Sequence, residues 1–519
     1  MSDFYLKNHV DVIKMSSVDS ILDVDKFSDW IGLQTTSSKD HLKRKIKEWS
    51  HDESHLSKIS MRFQRFKKEI KKDPEFYKEC NKYFKEIAQC EEELKKLVTT
   101  ESDLERESYN ELLFFRPILK PLNFVSYFLN FWSFLRVYLL PGLSFVVPFL
   151  TLLSPYIILK FAFSLPITFN SYMNILHSMV SGNYGNVMNP AIGNIAPIDF
   201  MKQFGIVFIT IIQGIVQPYW TYKHLKSIDD IVVEKGRLIL KFQEIYNNFQ
   251  TILESHGFKF FKCPLPNIQN ERDATAYAIL ESSYFKMALK YIGALEVIMC
   301  LAGQPDIHNV KWVKYDTKVK TPVFISKDTF DFQVPIESRK TLTIKFNKRH
   351  ALLTGPNKGG KSTVLRALSI SALLAHTYGC ALGYLTLTPF KEMFVCLKPD
   401  DLPGSKSRFE REIEFTAKTL KCTQPTLIFI DELYHSTNPP DALRSCQIYC
   451  DVLWTKPNII SVISTHLFEL VEKAPDNIQR LCCPAEIDKN NNIHFSYTVN
   501  TGICKVSSVD ELLKRNGLL

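Results

Sequence analysis

"LLTGPNKGGKSTVLRAL" (352–368) decides the fold. An apolar strand pattern runs into G-x-x-x-x-G-K-S from Gly355 to Ser362, and a helical pattern follows, which is the context a phosphate-binding loop requires. Gly355, Gly359 and Gly360 let the backbone curl so that N–H groups and a helix start face phosphates. Lys361 is expected at the β- and γ-phosphates and Ser362 on Mg²⁺, with Pro356, Asn357, Lys358 and Thr363 completing the loop. The cofactors implied are ATP and Mg²⁺, and the fold class is an α/β P-loop NTPase.

Two further runs extend this reading. "TLIFIDEL" (426–433) is an apolar β run ending in two carboxylates: Asp431 would hold the metal and Glu432 would polarise the attacking water. "IISVISTH" (459–466) is a third strand, ending at His466, which stands where a γ-phosphate sensor would stand. Upstream, "KTLTIKF" (340–346) and "RHALLT" (349–354) read as strands leading into the loop, and short β-type runs begin at Trp312.

With 519 residues, several structural units are expected. Apolar residues make up 45% and aromatics 12%, which excludes a largely disordered chain. The net charge of +9 suits an anionic partner without requiring one. Twelve cysteines without a C-x-x-C pair read as reduced thiols, and the charged start "MSDFYLKNHVDVIKM" carries no apolar run of the kind a cleaved signal needs. Residues 1–118 form a helical N-terminal region, with Phe63, Phe66 and Ile70 at helical spacing; its basic face suits either solvent or phosphates. Residues 224–311 return to a helical pattern, and 312–519 form the nucleotide-binding domain.

The stretch 119–223 differs in kind. Between Arg136 and Asp199 the only formal charge is Lys160. Segments 137–159 and 203–222 offer about 23 and about 20 uncharged residues, each enough to cross a hydrocarbon core. Pro141, Pro148 and Pro155 fall on nearly one side, so each would bend the segment the same way. Arg116, Lys120 and Arg136 on one flank and Lys223 and Lys226 on the other place both flanks on the cytosolic side of a two-segment hairpin in an intracellular membrane, with "SGNYGNVMNPAIGNIAP" (181–197) as the short link. The alternative is a very apolar buried bundle.

The ATP site resembles that of the MutS ATPases of DNA mismatch repair. "TGPNKGGKST" is similar to the family's TGPNMGGKST with Lys358 in place of Met; "STHLFEL" (464–470) resembles ATHxxEL, and "YTVNTGICKVSS" (497–508) the family's closing segment. The resemblance covers 340–519. It implies an ABC-type ATPase domain that dimerises around composite ATP sites, with DNA as a partner. "DDLPGSKSRFEREIEF" (400–415) resembles the dimer-contact segment, which makes Ser407 the residue expected to reach the opposite subunit's nucleotide, with Phe409 and Glu412 in register. Departures also stand out: His435 replaces an Arg after the acidic strand, and the family's Phe-x-Glu wedge has only Phe84-Lys85-Glu86 and Phe242-Gln243-Glu244 as matches, both inside helical patterns. Mismatch reading is therefore not expected of this chain. The resemblance and the apolar stretch together imply a membrane-tethered, MutS-like dimeric ATPase; a membrane or scaffold ATPase that has lost DNA contact is the other reading.

Overall fold

The computed structural model describes residues 12–14, 21–99, 108–125, 127–181, 212–259, 263–317, 321–346, 348–397, 407–488, 493–506 and 513. The chain forms two compact units, each discontinuous in sequence: Met1–Gln89 with Phe249–Cys263 and Leu289–Leu519, and Cys90–Asn248 with Pro264–Ala288. Spatial grouping thus follows packing across distant segments rather than the linear changes in composition.

The first unit is built around a six-stranded sheet in the order Glu392–Cys396, Thr426–Ile430, Ile459–Ser464, His350–Thr354, Ile478–Cys482, Asn500–Thr501. Its first five strands are parallel and the last is antiparallel. Parallel strands covered on both faces read as continuous apolar runs, and the strands 350–354, 426–430 and 459–464 are buried at every position. The two runs at 340–346 and 349–354 part company: Leu342–Lys345 joins a separate four-stranded sheet with Lys314–Tyr315, Tyr384–Leu387 and Phe324–Thr329.

The helix Lys361–Tyr378, which follows the phosphate loop, is buried along almost its whole length. Its C-terminal Gly379 has φ 69°, and a Cβ there would lie 2.5 Å from the backbone nitrogen of Ser60, so glycine permits the close approach of helix Glu53–Lys72. Trp49 stacks on His376 at 3.8 Å and donates Nε1–H to the Phe390 carbonyl. His376 Nε2 accepts from the Phe390 amide, so Nδ1 carries the proton and donates to the Ala372 carbonyl. Burial holds this ring neutral, with its pKa pushed down to about 3.

In the second unit, helix Phe128–Ser133 continues through a π-helical stretch, Phe134–Leu139, into helix Leu140–Ile157 and a second π stretch, Ile158–Ala162. Pro141 has no N–H for the carbonyl four residues back, and the turn before it widens, with Leu140 N–H donating to Leu135 O, whereas Pro148 and Pro155 lie within the α-helix Leu140–Ile157. A third π stretch, Ile212–Val216, stands just before Pro218. Asp229, on helix Gln217–Ser255, accepts two 2.8 Å bonds from Arg272 and one of 2.7 Å from Ser133 Oγ, fixing the start of the apolar helix. Around it pack Leu129, Val137, Leu225, Ile228 and Val232.

By length and composition, one helix among the described residues, Phe128–Val147, could cross a membrane, and Leu153–Ala162 is a shorter apolar one. The apolar helix Phe128–Val147 begins nine residues before the first expected segment, 137–159, and contains Arg136, which is paired with Glu111. Residues 203–211 of the second expected segment, and the 181–197 link beyond Ser181, lie outside the described residues, so the hairpin is not established. Residues 212–222 are helical and run directly into helix Gln217–Ser255. Phe149, Leu150, Phe161 and Phe163 are 60%, 55%, 72% and 67% exposed.

Candidate nucleotide site

The strand His350–Thr354 ends at Gly355, whose φ of 149° and whose 2.8 Å approach of a built Cβ to the Cys483 carbonyl both demand glycine. At Gly359 a Cβ would sit 2.9 Å from the Pro356 carbonyl. Gly360 (φ 100°) begins the helix with no side-chain cap, which leaves the first-turn N–H groups without the usual partner and suits them to an anion. Lys358, the substitution for Met, is exposed at φ 66°.

Lys361 is buried, and its ammonium donates to the carbonyls of Gly355 (3.0 Å) and Pro356 (3.3 Å). Burial lowers its pKa, a cost that a phosphate beside it would relieve. Its Nζ also lies 3.1 Å from His466 Nε2, and the same nitrogen is 3.0 Å from Glu432 Oε1. The hydrogen bond with His466 holds the Glu432 carboxyl below its ordinary range. Glu432 adopts φ 51°, a left-handed conformation that is costly outside glycine and concentrates at working sites.

Ser464 ties the two acidic residues together: its Oγ bonds Asp431 Oδ1 and accepts the Glu432 amide at 2.9 Å. The Asp431 amide donates to the Cys396 carbonyl at 2.8 Å, and Thr465 N–H to the Leu353 carbonyl at 3.0 Å. Adjacent parallel strands thus bring together groups that lie far apart in sequence, at the C-terminal ends of the strands where α/β sheets bind ligands.

Lys361 and Glu432 border a cavity of about 390 Å³, whereas His466 and Ser464 stand behind them and are not among its lining residues. Pro356, Asn357, Lys358, Gly359, Gly360, Lys361, Ser362, Thr363 and Glu432 line it; Gly355 begins the turn behind it. Asp431 lies in the adjoining narrow crevice with Glu412 and Glu432. Asp331, Ser338, Arg339, Lys340 and Tyr497 also line it. Of these, the 331–340 residues carried no motif, and only their folding against the loop reveals them. Asp331 is buried and bonded to Arg366 of the loop helix at 2.6 Å, so it serves as a brace for that helix.

The residues present fit ATP with Mg²⁺. The glycine cradle cannot accept a Cβ, the buried ammonium has carbonyls and a histidine for partners, and the Asp431 carboxylate held by Ser464, with the Ser362 hydroxyl in the cavity lining, are oxygen ligands of the kind Mg²⁺ takes alongside phosphate and water. Among the described residues no group of three His, Cys, Asp or Glu side chains forms a metal cage of its own.

Ser407 is absent from the lining. It caps helix Arg408–Leu420: its Oγ accepts the Glu410 amide at 3.2 Å, and Glu410 accepts the Ser407 amide at 2.8 Å. Residues 400–406 lie outside the described residues. Glu412 is buried, burial raises its pKa, and it accepts from Ser436 Oγ at 3.0 Å. Both Phe-x-Glu phenylalanines, Phe84 and Phe242, are fully buried within helices, so neither ring is available to enter a base stack.

Residues 351–511 match the family model of MutS domain V. The matched stretch contains the phosphate loop, the acidic strand, His466 and Tyr497. It is an α/β P-loop ATPase domain.

Proposed function

We propose that this protein is an ATP-hydrolysing, MutS-like dimeric ATPase that binds DNA, in mismatch repair or DNA-structure recognition, while tethered to an intracellular membrane. The observation that carries the ATPase reading is the convergence of Lys361 and Glu432, both lining a glycine-walled cavity, on one nitrogen of His466. Lys361 exchanges its carbonyl partners for β- and γ-phosphate oxygens, and the helix start contributes N–H groups. Glu432, ionised at neutral pH, orients a water in line with the γ-phosphate. His466, once Lys361 turns to phosphate, is left to Glu432 and to the transferred group. Asp431 and Ser362 would hold Mg²⁺, which when bound neutralises charge on the phosphates.

Dimerisation rests on the match to MutS domain V and the resemblance of the 407–415 segment. The membrane reading rests on the exposed apolar side chains between Leu139 and Phe169 and on the Tyr138, Tyr219, Trp220 and Tyr222 cluster beside Lys223 and Lys226, which suits a bilayer interface with both soluble flanks on the cytosolic side. The burial of Phe84 and Phe242 favours a second reading, in which the ATPase acts on a membrane or scaffold without DNA contact. Mg²⁺-dependent release of phosphate from ATP by the purified full chain tests the first claim. Duplex binding that weakens steeply with salt separates the two readings.

A further inference from the structure

The four-stranded sheet of the first unit has an outer face that the ATPase chemistry does not use. Strand pleating sends alternate residues to opposite faces, so Phe324, Ser326, Leu385 and Leu387 turn inward and are buried, while Ile325, Lys327, Tyr384 and Thr386 face outward. The register then sets cross-strand rows: Lys314 opposes Thr386, Thr386 opposes Ile325, and Ile325 opposes Lys345. Lys327 opposes Tyr384 in the next row. With Lys311 and Trp312 at the margin, Lys314, Ile325, Lys327, Tyr384 and Thr386 line a groove of about 350 Å³ that shares none of the nucleotide cavity's lining residues. Lys311 Nζ stands 5.6 Å from the Tyr384 ring centroid and pairs with Asp306 at 3.8 Å. Tyr384 is half exposed, with Lys311 near its ring and Lys327 opposite it in register.

We propose that this groove binds single-stranded nucleic acid. A nucleotide unit needs an aromatic face for its base and cations for its phosphates, and Tyr384 with Lys311, Lys314 and Lys327 supplies both within one pocket of ligand size. A duplex keeps its base faces stacked inside and would leave the ring unused, so the strand is single. Base stacking and phosphate pairing both tolerate sequence, and the site reads no particular base. The inference shares with the proposed function only the class of partner, and it stands on residues outside the ATP site.

The test is fluorescence anisotropy of the full chain with a labelled oligothymidylate at several salt concentrations. Lys314→Ala with Lys327→Ala should weaken binding and reduce the slope of log affinity against log salt by about 0.7 per lysine removed. Tyr384→Ala should weaken binding about fivefold or more with the slope unchanged, and Tyr384→Phe should retain it. ATP turnover should be unchanged in these variants, and Lys361→Ala should still bind the strand, so failure of the ATPase reading and failure of this one are distinguishable. Equal binding by all groove variants overturns the proposal. So does thymidine monophosphate binding as tightly as the oligonucleotide, which would make this a small-molecule site, or loss by the variants of phosphatidylserine vesicle binding with strand binding intact.

Discussion

Lys361 Nζ and His466 Nε2 lie 3.1 Å apart, although 105 residues separate them in sequence. A single ring nitrogen can accept from the lysine or donate to Glu432, but not both at once, so a phosphate that draws Lys361 away decides in favour of Glu432. His466→Ala leaves Lys361 its two carbonyl partners and the cradle intact. ATP affinity measured by equilibrium binding should therefore stay close to that of the unchanged chain, while turnover falls about 100-fold or more.

The first unit should be acid-labile. Burial lowers His376 and His41 to about 3 and His350 to about 4. Their folded pKa values are depressed below the unfolded value near 6.5, so the neutral form's contribution is fully present above pH 6.5 and is lost as pH falls below it. Between pH 7.5 and 5 each histidine should withdraw about 2 kcal/mol. The buried carboxyls Glu296 and Glu412, pushed up by burial, offset part of this. Thermal unfolding across this range, with His376→Gln flattening the dependence, is the check.

Ser407 caps a helix, and the proposed dimer would give it a second role. Asp caps helices as well as Ser does, so Ser407→Asp should preserve the melting temperature, whereas Ser407→Ala should cost about 1 kcal/mol. A carboxylate facing a partner subunit's nucleotide repels its phosphates, and turnover by Ser407→Asp should fall about tenfold or more. Turnover equal to that of the unchanged chain would leave Ser407 as a cap alone.

The exposed apolar helix makes a separate prediction. Membranes washed at alkaline pH should retain the full chain. Phe149→Arg with Leu150→Arg should release a large fraction, since each charge at mid-bilayer costs about 2.5–3.5 kcal/mol. Complete release of the unaltered chain would remove the tether from this account.

Much of the site was legible because its chemistry sits in contiguous motifs at strand ends: the loop from Gly355 to Thr363, Asp431 with Glu432, and His466. What sequence could not give was contact across strands. Ser464 appears in the motif "STH", yet its grip on both acidic residues exists only because the strands 426–430 and 459–464 pair in parallel. Arg339 and Asp331 carry no motif at all, and the capping use of Ser407 competes with the role its register suggests. The apolar stretch was legible as composition; that Arg136 lies inside its helix, paired with Glu111, is a tertiary contact the composition does not show.

The central claim is best tested by separating nucleotide binding from turnover. Lys361→Ala removes the buried ammonium and should abolish ATP binding by the purified chain. Glu432→Gln keeps the cradle, Lys361 and Asp431, and should bind ATP normally while hydrolysing it about 100-fold or more slowly. Loss of binding in both variants, or unchanged hydrolysis in Glu432→Gln, would contradict the roles assigned here.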